Sequence, residues 1–211
     1  MSVHEIAVKC AAYLAHELEL DRIKENRMAF GMELFLGEII KLTLTITISY
    51  ILGILPEVLT ITFTAGILRL ASGGEHCSAY YRCLLGGTFC FILLGALAHL
   101  LNPLISNTAL LLIVCISFLI GCILLLKYAP GDTANKPINS SEQRALFKKR
   151  SLQIMGIYLI IILAMMMGSA VKILVLPMVF GIIEQIFTVT PWGYHYIHWV
   201  DRVLGNKAEV Q

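Results

Sequence analysis

Six apolar stretches, most of them close to twenty residues long, limit what this chain can fold into more than any other feature. They run from about Met32 to Leu55, Val58 to Leu70, Cys83 to Leu101, Leu104 to Leu126, Leu152 to Ala170 and Val171 to Val189. A helix that spans a bilayer needs about 20 mainly apolar residues. Hydrophobic residues make up 58% of the chain and charged ones only 14%, far from an ordinary soluble domain. The expected fold is therefore all-α: a polytopic membrane helical bundle of about six spans. The second span, full of Thr60, Thr62, Thr64 and Gly66, suits close helix packing. It is also short, which leaves a half-membrane or re-entrant course open for residues 58–70.

Three segments set the domain organisation. Residues 1–30 form an amphipathic N-terminal segment, with Val3, Ile6, Cys10, Leu14 and Leu18 at helical spacing. The segment is too polar to span and is expected to lie in the membrane interface. It has neither the short apolar core nor the small-residue cleavage site of a signal peptide. Residues 31–190 form the membrane domain, with one long hydrophilic loop at 127–150 whose second half reads as a short basic helix capped by Ser140 or Ser141. Residues 191–211 form a tail rich in interfacial aromatics, Trp192, Tyr194, Tyr196 and Trp199.

Lys and Arg set the orientation. With six spans, one side receives Lys9, Arg22, Lys24, Arg27, Arg69, Arg82, the loop cations from Lys127 to Arg150, Arg202 and Lys207. The other side receives only the turns at Pro56, Asn102 and Lys172. The positive-inside rule then puts both termini in the cytoplasm of a multi-pass cell-membrane protein. The overall charge of +2 gives no pointer to nucleic acid.

One polar stretch stands apart: Arg69-Leu70-Ala71-Ser72-Gly73-Gly74-Glu75-His76-Cys77-Ser78-Ala79-Tyr80-Tyr81-Arg82-Cys83. Ionisable groups beside a bilayer are costly and point to function. A thiol acts as the thiolate and needs a base or a favourable field, and histidine serves best near neutral pH. His76 and Cys83 are seven apart. On one helix they would share a face but sit roughly 10 Å apart along the axis. The pair works only if His76 leaves the helix that carries Cys83. Gly73-Gly74 gives that freedom, Ser78 is placed to cap the helix, and a helix N-terminus favours the thiolate. Cys77 is a rival nucleophile, but it adjoins His76 in sequence and tends to point away from it. Glu75 either orients the imidazole or is solvated, and Arg69 either binds a substrate carboxylate or oxyanion or marks the membrane edge.

The other cysteines read differently. Cys90, Cys115 and Cys122 fall within apolar runs, where a thiol is a small hydrophobe, and Cys10 reads the same way. Neither a His-Glu-x-x-His zinc motif nor a Gly-x-Ser-x-Gly turn occurs. His195 and His198 are three apart without a completing carboxylate or thiol, so they read as interfacial residues. No metal or cofactor is expected.

Arg69, Gly73-Gly74, His76 and Cys83, followed after the fourth span by Tyr128-Ala129-Pro130-Gly131-Asp132-Thr133-Ala134-Asn135-Lys136-Pro137, resemble the AgrB family of accessory gene regulator membrane peptidases. The resemblance covers nearly the whole chain. It implies a cytoplasmic-side cysteine endopeptidase acting on a small AgrD-like propeptide, with His76 as base and Cys83 as nucleophile. It also implies loss of the C-terminal part of the propeptide through a thioester acyl-enzyme, then closure of a thiolactone or lactone autoinducer for quorum sensing. Arg69 and Gly74 would support the site, while the resemblance assigns nothing certain to Glu75 or Cys77. The expected partners are the propeptide and membrane lipids, with a homodimer left open. The competing class is a non-enzymatic peptide exporter or channel lined by Glu33, Glu38, Lys41 and Glu184, and a third is a sensor that binds peptide without cutting it.

Overall fold

In the computed structural model, residues 3–75, 80–132, 138, 140–168 and 171–204 are described, and all the elements among them are helical. The chain divides into two units, residues 1–47 and 48–211. In the first, α1 (Val3–Glu17) ends in a turn at Glu19, φ 49°, and α2 (Arg22–Ile51) begins at once. The N-terminal segment, whose helical spacing reads as one amphipathic run, is therefore divided between two helices. The division is local: Asp21 Oδ1 accepts from the Lys24 backbone N–H at 2.8 Å and starts a new helix there. α1 buries Ala7, Ala11 and Ala15, while the larger stripe residues Ile6, Leu14 and Leu18 stay exposed. His4 Nδ1 bonds Glu33 Oε2 at 2.8 Å and ties α1 to α2.

The second unit holds α3 (Leu55–Ser72), α4 (Tyr80–Leu101), α5 (Asn107–Tyr128), α6 (Ser141–Met167), a 3-10 turn (Lys172–Leu174), α7 (Val175–Thr188) and α8 (Pro191–Leu204). Their boundaries follow ordinary chemistry. Pro56 sits in the first turn of α3. Ser106 accepts from the Ala109 N–H at the start of α5, and Ser140 from the Gln143 N–H at the start of α6. The basic segment expected to stand apart from the fifth span is continuous with it: α6 runs unbroken for 27 residues. No Gly or Pro falls between Ser141 and Arg150 to interrupt it. The second span is likewise longer than the 58–70 stretch, since α3 has 18 residues, about 27 Å of rise. Of the segment expected as a tail, Pro191–Leu204 is helical.

α7 is the centre of the bundle. It packs on α3, α4, α5, α6 and α8, and Val175, Leu176, Val179, Ile182 and Ile186 are buried. Small residues let neighbours close in: Gly95 lies against Val58, Gly121 against Ile186 and Met155, and Gly181 against Ile61 and Thr64. The buried Tyr158 hydroxyl donates to the Thr64 carbonyl at 2.9 Å, which satisfies both groups in an apolar setting. Outside the core, Leu85, Phe89, Leu93, Leu112, Ile116, Leu119 and Ile160 are exposed. The outer faces of these helices are therefore apolar along their length. Among the described residues, five helices are long and apolar enough to cross a membrane, six if the bent α7–α8 pair counts as one span. The protein is an all-α, multi-pass helical bundle.

Candidate active site

One end of the bundle gathers the C-termini of α3, α5 and α7 with the N-terminus of α4. α3 ends because Gly73 takes a left-handed φ of 68°, and Gly74 follows at φ 135°. The chain then meets the segment after α5 in a short parallel bridge between Gly73 and Gly131. The Gly131 N–H donates to the Ser72 carbonyl at 2.8 Å, and the Gly74 N–H to the Gly131 carbonyl at 3.3 Å. Two polar segments far apart in sequence thus become one site wall. A Cβ on Gly73 would overlap the Gly131 carbonyl, and one on Gly131 would sit tightly against the Tyr194 hydroxyl and the Gly74 backbone.

Gln185 on α7 organises this wall. Its amide Nε2 donates to the Ser72 hydroxyl at 2.9 Å and to the Gly73 carbonyl at 2.7 Å. Its Oε1 accepts from Arg69 Nη1 at 3.3 Å. A guanidinium only donates and a carbonyl only accepts, so the amide has one workable orientation. Arg69 also reaches Thr188 Oγ1 at 3.5 Å and donates through Nη2 to the Glu75 carbonyl. The Arg69 side chain therefore grips the backbone that leads toward His76. Gly74 is buried, and a Cβ there would meet the Thr188 hydroxyl and Arg69.

Sequence reasoning passed over Gln185 and turned to its neighbour Glu184. An amide in an apolar span was the available signal. Replacing Gln185 with Met keeps the length but not the hydrogen bonds. The half-buried Gly73 carbonyl and the Arg69 guanidinium would each lose a partner, and a loss of about 2–4 kcal/mol in unfolding free energy is expected. Thermal unfolding in mild detergent measures it.

Of the residues singled out from sequence, the structure brings Arg69, Gly74 and Glu75 into this network. Cys83 lies in the first turn of α4, half-buried. His76, Cys77 and Ser78 lie outside the described residues. Beside Cys83, Arg82 is buried and pairs with Asp201 of α8 at 3.5 Å, a link that sequence patterns did not reveal. Among the channel-reading charges, Glu33 is bonded to His4, and an exposed Glu38 pairs with the half-buried Lys41 at 3.9 Å.

Beyond the bridge, Asp132 accepts from Arg144 at 2.6 Å, and this bond holds its carboxyl below the usual carboxylate range. The folded value is the depressed one. The contribution to stability is therefore present above the unfolded carboxylate pKa and disappears as pH falls through the folded pKa. Arg144→Gln is expected to raise the Asp132 pKa toward that of an ordinary carboxylate. Carboxyl carbon NMR of Asp132 across acid pH distinguishes the two.

A family model described as accessory gene regulator B matches residues 7–189. The chain belongs to the accessory gene regulator B family. Relatives span almost the same length. The chain is 29% identical to AgrB-like protein 2 of Clostridium perfringens strain 13, over 94% of this chain and 96% of that one. It is 30% identical to an AgrB-like protein of C. perfringens strain SM101, over 89% and 91%. Accessory gene regulator protein B of Staphylococcus aureus strain MW2 is 28% identical over 87% and 92%. No solved structure matches the chain.

Proposed function

We propose that this accessory gene regulator B family member is a membrane cysteine endopeptidase that matures a small AgrD-like propeptide into a cyclic quorum-sensing signal. The observation that carries the reading is the position of Cys83 in the first turn of α4, with Arg69, Gly73, Gly74 and Glu75 fixed by their own hydrogen-bond network in the preceding segment. The non-helical backbone at Gly73 and Gly74 supports a base that comes from outside the helix of the nucleophile. The bias of Lys and Arg supports a cytoplasmic placement for this end and for both termini.

In this reading His76 takes the Cys83 thiol proton, and the thiolate attacks the carbonyl carbon of the scissile peptide bond. The C–N bond breaks as His76 returns the proton to the leaving amine. The C-terminal part of the propeptide departs, and the rest stays on Cys83 as a thioester. An internal thiol or hydroxyl of the bound peptide then attacks the same carbonyl. It closes the ring and gives back the Cys83 sulfur with a proton. The positive end of the α4 dipole lies at this turn and favours the anionic sulfur over the thiol. A site at the membrane boundary limits water, so ring closure competes well with hydrolysis.

Purified protein in proteoliposomes, given an AgrD-type propeptide, tests the reading. Cleavage should disappear in Cys83→Ala and in His76→Ala and persist in Cys77→Ala. Retained cleavage in both of the first two variants would overturn it.

A further inference from the structure

The corner after α7 is built rather than frayed. Thr190 Oγ1 accepts from the Gly193 N–H at 3.3 Å, Pro191 opens α8, and a Cβ at Gly193 would collide with the Phe187 carbonyl. The α7–α8 pair is consequently bent by 83°. α7 sits at the centre of the spanning bundle, so α8 runs across the end of the bundle instead of along it. Phe187 meets Tyr196 edge-on at 6.0 Å, and Tyr196 stacks with Trp199 at 6.1 Å, which stiffens the corner.

The two faces of α8 differ. Trp192, Tyr196, Trp199 and Val203 are all exposed and follow one another at intervals of four, three and four, a single helical stripe. On the other face the Tyr194 hydroxyl donates to the Asp132 carbonyl at 3.1 Å, Val200 is buried against Gly86, and Asp201 pairs with Arg82. Tyr194 and Asp201 are seven residues apart, about 10 Å along the helix. The inner face therefore joins the turn that carries Cys83 to the Gly131–Asp132 corner. Asp201 is the one carboxylate of α8 and is turned inward, whereas Arg202 is exposed. The same end carries Lys127, Lys148 and Lys149.

We propose that α8 is a membrane-interface strap: its Trp192–Tyr196–Trp199–Val203 stripe seats in the headgroup region of an anionic bilayer, and its inner face holds the first turn of α4 against the Gly131–Asp132 corner. Trp and Tyr favour that depth because their rings are apolar and their N–H and O–H groups need polar partners. The exposed cations Arg202, Lys127 and Lys149, with no exposed carboxylate on α8, select anionic headgroups. The lipid contact stands independently of the peptidase reading, while its effect on turnover rests on that reading.

The chain has two tryptophans, and both lie on the stripe, so intrinsic fluorescence reports α8 directly. The full protein is reconstituted in phosphatidylcholine vesicles, with or without phosphatidylglycerol, that contain lipids brominated either just below the headgroup or near the bilayer centre. Shallow bromine should quench the emission at least about twofold more than deep bromine, and aqueous acrylamide should quench little. Phosphatidylglycerol should strengthen the shallow quenching, and Arg202→Gln should reduce that gain. Free quenching by acrylamide, stronger quenching by deep bromine, or protection from every quencher would overturn the lipid contact. The last of these is the result for a stripe covered by a second copy or by a bound peptide. Asp201→Asn tests the strap: cleavage should fall about tenfold while bromolipid quenching is unchanged, a loss equal to roughly 1.4 kcal/mol. Unchanged cleavage would overturn the strap. Interfacial quenching together with a wild-type protein that never cleaves would count against the peptidase reading alone.

Discussion

Cys83→Ala should eliminate propeptide cleavage, with a fall on the order of 10⁴ or more in kcat/KM. Removing the nucleophile of a covalent mechanism leaves only the catalysis that comes from binding and from charge stabilisation, which is small beside the intact site. The substitution removes only a sulfur from a half-buried helical position, and Ala is the best helix former. The fold and the Arg69–Gln185 network should therefore survive, and the thermal transition should stay close to wild type. That combination separates a chemical role from a structural one. A non-enzymatic exporter would show no such loss, because no bond would be broken at Cys83. The matched control is Cys77→Ala, which should retain turnover within a fewfold of wild type. Quantifying the released C-terminal fragment from proteoliposomes measures all three proteins.

Gly73→Ala should be the most destabilising single-methyl change at this end of the bundle. The residue sits at φ 68°, where an L side chain costs about 1–2 kcal/mol. The added methyl would also run into the Gly131 carbonyl, a backbone atom that cannot swing aside. Relief requires opening the Ser72–Gly131 and Gly74–Gly131 hydrogen bonds, and the bond from Gln185 to the Gly73 carbonyl would shift with them. Together these effects should cost about 3–5 kcal/mol in unfolding free energy and most of the cleavage activity. Gly66→Ala is the informative comparison. It lies within α3, and its Cβ would meet nothing within 4 Å. There the substitution should be neutral or stabilising by up to about 1 kcal/mol, since Ala outranks Gly inside a helix. Equal stability for the two variants would contradict the bridge.

The helical membrane architecture was legible from sequence because long apolar runs admit few alternatives. Boundaries were less so. Residues 141–150 are polar and the residues after them apolar, and composition alone divides what the backbone keeps as one α6. The N-terminal segment erred the other way: periodicity ran through Asp21, which begins a new helix. At the site, the Gly73-Gly74 pair and the Tyr128–Pro137 segment were both conspicuous as motifs. Their contact through Gly131 was not, because pairing across nearly sixty residues leaves no periodic trace. Gln185 escaped for a related reason. A single amide in an apolar helix shows that something polar is near, but not that Ser72, Gly73 and Arg69 are its partners. Arg82 and Asp201 gave even less warning, since charged residues near a span end ordinarily face water.

In the proposed mechanism Cys83 carries the peptide as a thioester. This is tested most directly by trapping that intermediate. A propeptide whose internal ring-closing thiol or hydroxyl is replaced by a methyl group cannot cyclise, so the acyl-enzyme should accumulate in proteoliposomes. Rapid acid quenching, proteolysis and mass spectrometry should then find the N-terminal part of the propeptide on the fragment that contains Cys83, released by neutral hydroxylamine. An adduct on Cys77 or another cysteine, or continued cleavage with no adduct on Cys83, would contradict the account.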